Sequence, residues 1–179
     1  MDIRIYGYLA ASYLLEIEPS QWDTLVVLDS KVSPSDFVQS HSVRHRFLRF
    51  DDVDRPTEGR QLVTSDDVAS GLDFAVGSDR LLVTCRAGQS RSAAMAYLIA
   101  CRDQGVEAAL NLIDPTRHIP NPLVVRLGAA VLDMSDALDA FERWCNDHRH
   151  ISLSDYYDDL EREFDDLVGR GAVNRIVAD

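Results

Sequence analysis

The chain has 179 residues, 46% of them apolar and 27% charged, which suits one compact domain with a sizeable core. Thirty acidic residues against eighteen basic ones give a net charge of −12; this argues against nucleic acid and anionic membranes, which demand clustered positive charge. No apolar run reaches the roughly 20 residues of a membrane span, and the opening Met1-Asp2-Ile3-Arg4 lacks the basic-then-apolar layout of a secretory signal, so a cytoplasmic protein is expected. Cys85, Cys101 and Cys145 are an odd count at wide spacings, neither a disulfide framework nor a zinc pattern, and point to a reducing compartment.

In chain order, Ile3–Tyr6 and Leu25–Leu28 are short apolar runs of β-formers and read as buried strands. Pro34-Ser35-Asp36 reads as a turn or helix start. Arg44–Phe50 alternates polar and apolar residues and predicts a third strand. The polar stretch Asp51–Arg60, with Pro56 and Gly59, is a loop. Thr64 or Ser65 caps a helix to about Val76, with Asp66 and Asp67 favourable in its first turn. Arg80–Thr84 is a buried-type strand, Ser92–Gln104 an alanine-rich helix ending at Gly105, and Val106–Ile113 another helix.

Pro115, Pro120 and Pro122 break the chain, after which Leu123–Trp144 predicts one long helix, straight or kinked. Leu153–Val168 predicts an acidic helix, with an apolar stripe that includes Tyr156, Tyr157, Leu160 and Phe164 for packing on the body or on a partner. The tail beyond Gly169 is expected to be loose. Alternating strands and helices predict an α/β fold, a mainly parallel central sheet flanked by helices, as a single domain over residues 1–179. Ligands in such sheets sit beyond the carboxyl ends of the strands, the position that Cys85 occupies.

The stretch Leu81–Ser92, LLVTCRAGQSRS, carries the chemistry. Five residues, Arg86, Ala87, Gly88, Gln89 and Ser90, separate Cys85 from Arg91. They can curl so that successive N–H groups point inward, an anion-binding nest reinforced by the following helix N-terminus. Gly88 supplies a backbone angle that a β-carbon resists. Arg91 can grip phosphate oxygens through two parallel hydrogen bonds, and nest, helix and Arg91 all stabilise a thiolate at Cys85. Such a thiolate is placed for in-line attack on phosphorus.

The residues Cys85-Arg86-Ala87-Gly88-Gln89-Ser90-Arg91-Ser92 resemble the signature loop of the protein tyrosine phosphatase superfamily, in particular its compact dual-specificity-like branch, over roughly Arg44 to Leu127. The resemblance implies a phosphatase-like fold and two-step hydrolysis of a phosphorylated protein or small phosphomonoester through a phosphocysteine, with no metal or cofactor. It implies a general acid among Asp51, Asp52 and Asp54, in the preference Asp52, Asp54, Asp51. It implies that Ser92 assists departure of the thiolate and that Asn121, in Ile119-Pro120-Asn121, braces the phosphate loop. Where the family has histidine before the cysteine this chain has Thr84, whose hydroxyl can donate to the loop with a different reach; slower turnover is expected.

Plainer roles stand beside these. Cys101 and Cys145 read as core thiols, and Arg86 as either a substrate contact or a solvated side chain. Asn121 before Pro122 is also a good helix cap. The histidines His41, His45, His118, His148 and His150 show no metal-ligand spacing, with His148 and His150 expected at the surface. Two further functions compete: a phosphate-recognition pseudophosphatase, suggested by Thr84, and a rhodanese-type sulfurtransferase, whose loop is generally one residue shorter between cysteine and arginine. Oligomeric state is not legible in the sequence.

Overall fold

The structure, a computed structural model, describes residues 1–149 and 153–178, the side chains of 153–156 excepted. Four strands form one sheet: β1 (Asp2–Gly7), β2 (Asp23–Leu28), β3 (Arg44–Arg49) and β4 (Arg80–Cys85). Their order is β1-β4-β2-β3, and every pair is parallel. Strand β2 is buried along its whole length, as an interior strand of a parallel sheet covered on both faces must be. The edge strand β3 keeps the alternation seen in its sequence, with Leu48 inward and Arg49 outward.

Side-chain alternation along the strands sorts the core into two layers. Leu25, Val27, Leu81 and Val83 pack on one side beneath α3 (Ser65–Phe74), α4 (Arg91–Gln104), α5 (Val106–Leu112), α6 (Pro122–Leu132) and α7 (Ser135–Asp147). Val26, Leu28 and Leu82 face the other side, under α1 (Tyr8–Ile17) and the short α2 (Phe37–His41). Helix α4 is buried from Arg91 through Cys101, so it is the central post of its layer. Among the described residues, no helix is long and apolar enough to cross a membrane.

One helix was missed and two expectations are corrected. Helix α1 follows β1 directly and was not legible: its N-cap is Gly7, without a side-chain cap, and neither an acidic residue in its first turn nor a basic one in its last marks its ends. The single helix over Leu123–Trp144 is two, because Asp133 adopts a left-handed conformation with φ of 53° and closes α6; aspartate tolerates that region better than most residues. The tail is not loose. Ile176 is fully buried, Val177 bridges Pro34, Arg175 N–H donates to Ser12 Oγ at 2.9 Å, and Ala178 N–H donates to Ser33 O. The acidic helix is present as α8 (Leu153–Gly169) and packs on α1, while His150 and the side chain of Tyr156 lie outside the described residues.

Candidate active site

Residues at and just beyond the carboxyl ends of β2, β3 and β4 line one hollow of about 280 Å³, and the end of β1 backs the loop that wraps it. Strand β4 delivers Cys85 and β2 is followed by Asp29; the segment after β3 carries Phe50, Asp51 and Asp52, and β1 ends at Gly7, in register with Cys85. The polypeptide between Cys85 and Arg91 wraps the hollow and enters α4, whose first residue is Arg91. This is the crevice that a parallel sheet leaves at its carboxyl edge.

Outside contacts fix the loop. Arg86 O accepts from Tyr8 N–H, Gln89 O from Ile119 N–H, and Ser90 O from both Ala94 N–H and Asn121 N–H. With these carbonyls turned outward, the amides of Arg86 through Ser90 donate to no protein acceptor among the described residues. A run of backbone N–H groups left without protein partners is what an anion nest requires. Gly88 has φ of +73°, and a β-carbon there would lie 2.3 Å from Gly7 N. Gly7 is constrained less severely, its own β-carbon position lying 3.1 Å from the Ala87 carbonyl. The end of β1 and the loop after β4 thus approach closely as backbone; the angle expected of Gly88 is present, while the close approach to Gly7 had no sign in the sequence.

Cys85 is buried, and its Sγ lies 3.1 Å from Ser92 Oγ. Arg91 is also buried, with 3% exposure of its side chain. Its Nη1 donates to Phe50 O at 2.8 Å and pairs with Asp29 Oδ1 at 2.8 Å. Its Nε is buried with no partner among the described residues. A guanidinium oriented on one edge by a carboxylate and a carbonyl keeps its other donors for an oxyanion. Asp29 was missed in the sequence; its one signal was its place at the end of the buried run TLVVLD, where a parallel sheet presents ligand contacts.

The three candidate aspartates separate cleanly. Asp51 is buried and accepts from Ser30 N–H, Ser30 Oγ and Gln61 N–H, with Arg60 3.7 Å away. Burial pushes its carboxyl up, but the hydrogen bonds from Gln61 and Ser30 and the charge of Arg60 outweigh it and hold the pKa at about 2. Asp51 is therefore a fixed structural anion. Asp52 is exposed and lines the hollow; its Oδ1 accepts from Ser90 Oγ at 2.8 Å and Asn121 Nδ2 at 2.9 Å. Asp54 is exposed and does not line the hollow.

Asn121 carries both of its expected duties in part. Its Oδ1 caps α6 by accepting from Leu123 and Val124 N–H, and its backbone N–H holds Ser90 O. The side-chain amide goes to Asp52 rather than to the loop. Thr84 departs from its expected part: Oγ1 is buried and has no hydrogen-bond partner among the described residues, so the hydroxyl does not reach the loop. Arg86 is exposed at the rim. Cys101 is buried, and burial pushes its thiol up to about 11, which makes it unreactive at neutral pH. Cys145 packs at the edge of the core.

No family model and no curated protein matches the chain. Among solved structures, the Yvh1 phosphatase domain from Chaetomium thermophilum superposes with a TM-score of 0.52 at 17% identity, over 76% of this chain and 93% of that one. PTPMT1 in complex with PI(5)P matches with a TM-score of 0.49 at 14% identity, over 79% and 94%.

Proposed function

We propose, for a chain that carries the fold of the protein tyrosine phosphatase superfamily, that it hydrolyses phosphomonoesters through a phosphocysteine at Cys85. The observation that supports this most is the buried Nε of Arg91, without a protein partner among the described residues, on a guanidinium already aimed by Asp29 and Phe50. An orphaned buried cationic donor is costly, and a phosphate oxygen would satisfy it.

In this reading the amides of residues 86–90 and Arg91 hold the three non-bridging oxygens and the charge that develops on them. Sγ of Cys85 attacks phosphorus in line as the bond to the ester oxygen breaks. Asp52 protonates that oxygen, with Oδ1 steadied by Ser90 and Asn121 and Oδ2 left for the transfer. Water then attacks the phosphocysteine, Asp52 takes its proton, and the thiolate leaves toward the hydroxyl of Ser92, 3.1 Å away. The hollow carries Asp29, Asp51 and Asp52 against Arg60, Arg86 and Arg91, so a local balance of charge offsets the acidic molecule around it.

Steady-state hydrolysis of aryl phosphates, with chelator and reductant present, tests the reading. Cys85→Ser is expected to fall to background and Arg91→Ala to lose about 10²–10³ in kcat/KM, with Asp29→Asn intermediate. Asp52→Asn is expected to lose about 10²–10⁴ on phenyl phosphate and less on p-nitrophenyl phosphate, whose leaving group needs a proton less. An inert wild type that binds phosphate in an Arg91-dependent way would make the loop a recognition site instead.

A further inference from the structure

Behind the phosphate loop lies a larger cavity of about 700 Å³, within the size range of small-molecule sites. Its floor is apolar: Tyr6, Leu9 and Ala10 from β1 and α1 face Leu160, Phe164 and Leu167 from α8. Phe164 remains 56% exposed, although it lies on a helix that packs against the body. The wall on the phosphate side is made by Arg86, Ala87 and Gln89, and the same three residues line the catalytic hollow. The two spaces therefore lie against the same three residues. In that shared wall, Gln89 Nε2 is buried without a partner among the described residues, a donor aimed at no protein group.

Charge selects the occupant. Glu161, Glu163 and Asp165 of α8 border the cavity, Glu163 pairs with Arg117 there, and Arg162 is the only basic residue of α8. A second phosphate or carboxylate would meet this acidic edge and be repelled. An apolar group would bury the exposed rings and gain the transfer free energy of its own surface.

We propose that this cavity is a substrate subsite. It takes an uncharged apolar group, aryl or alkyl, carried by the same phosphomonoester whose phosphate sits on the loop, and Gln89 meets the polar atoms that join the two. The proposal rests on the phosphatase reading for its substrate, so its test separates binding from turnover.

The probes are 4-alkylphenylphosphonates, which cannot turn over, and the matching 4-alkylphenyl phosphates, whose leaving groups stay alike along the series. Calorimetry on the full chain is expected to show affinity rising about fourfold per added methylene once the chain enters the cavity. The kcat/KM of the phosphates should rise in parallel. Ala10→Trp, which fills the cavity, and Leu160→Asp, which makes its floor polar, should each flatten the chain-length dependence. If affinity and kcat/KM are flat in wild type while phenyl phosphate is hydrolysed, the subsite is overturned and the phosphatase reading stands. If affinity rises with chain length but nothing is hydrolysed, the phosphatase reading falls and the subsite remains. Binding of phosphorylated peptides with aromatic neighbours, compared with the alkyl series, tells whether the apolar group is a side chain or an alkyl chain. If no phosphonate binds at all, both readings are overturned.

Discussion

Arg91 and His118 show how single side chains are set by what surrounds them. Arg91 is held by Asp29 and a carbonyl in a buried place, and its aim follows from those two partners rather than from its own rotamer freedom. His118 is held by accepting at Nδ1 from Asp114 N–H, 2.9 Å away. Burial, aided by the charge of Arg117 and opposed by Asp114, lowers its pKa to about 4, so the folded state keeps it neutral. In the unfolded chain it titrates near its ordinary 6.5. Its depressed pKa therefore adds stability that is fully present above about pH 6.5 and is lost as pH falls toward 4. Thermal unfolding between pH 7 and pH 4.5 is expected to show a decline that His118→Gln makes shallower; an identical slope in the variant would remove His118 as a source. The placement of Cys85 and Arg91 at the two ends of one loop was legible because it is a spacing within a short stretch of sequence. Asp29, which pairs with Arg91, and Tyr8, whose N–H holds Arg86 O, come from beyond the ends of other strands, and only the place of Asp29 after a buried run hinted at either.

At the scale of elements, the readable ones were those with strong local punctuation. Helix α3 begins at Thr64, whose side chain and that of Asp67 form a reciprocal cap, and α6 begins with Asn121 followed by Pro122. Strands β2 and β4 are continuous apolar runs. Helix α1 had neither cap nor charge bias, and the break after α6 depends on one residue adopting a left-handed angle. The tail was misread because its order comes from distant partners, Ser12, Ser33 and Pro34, while the segment itself is too short to show a helix or strand period. Ile176, fully buried between these elements, gives a direct test. Ile176→Ala is expected to destabilise the protein by about 2–4 kcal/mol in chemical unfolding, whereas a loose tail would give a change indistinguishable from zero.

The whole molecule is an acidic body with a small, charge-balanced opening at one edge of its sheet. Strand order β1-β4-β2-β3 places the cysteine strand between β1 and β2, so the loop after β4 is walled by the ends of its two neighbours. That placement could be anticipated from the α/β pattern, but the order of strands and the position of α8 beside the loop required tertiary structure. The proposed chemistry reduces to one atom, Sγ of Cys85, which would lie beneath a phosphate held by backbone amides and Arg91. Rapid acid quench of the enzyme turning over a phosphorus-labelled aryl phosphate, followed by peptide mass analysis, asks that question directly. The account predicts label on the peptide containing Cys85, a burst of released phenol, and loss of both in Cys85→Ser. Hydrolysis that continues in Cys85→Ser, with no label on that peptide in wild type, would contradict it.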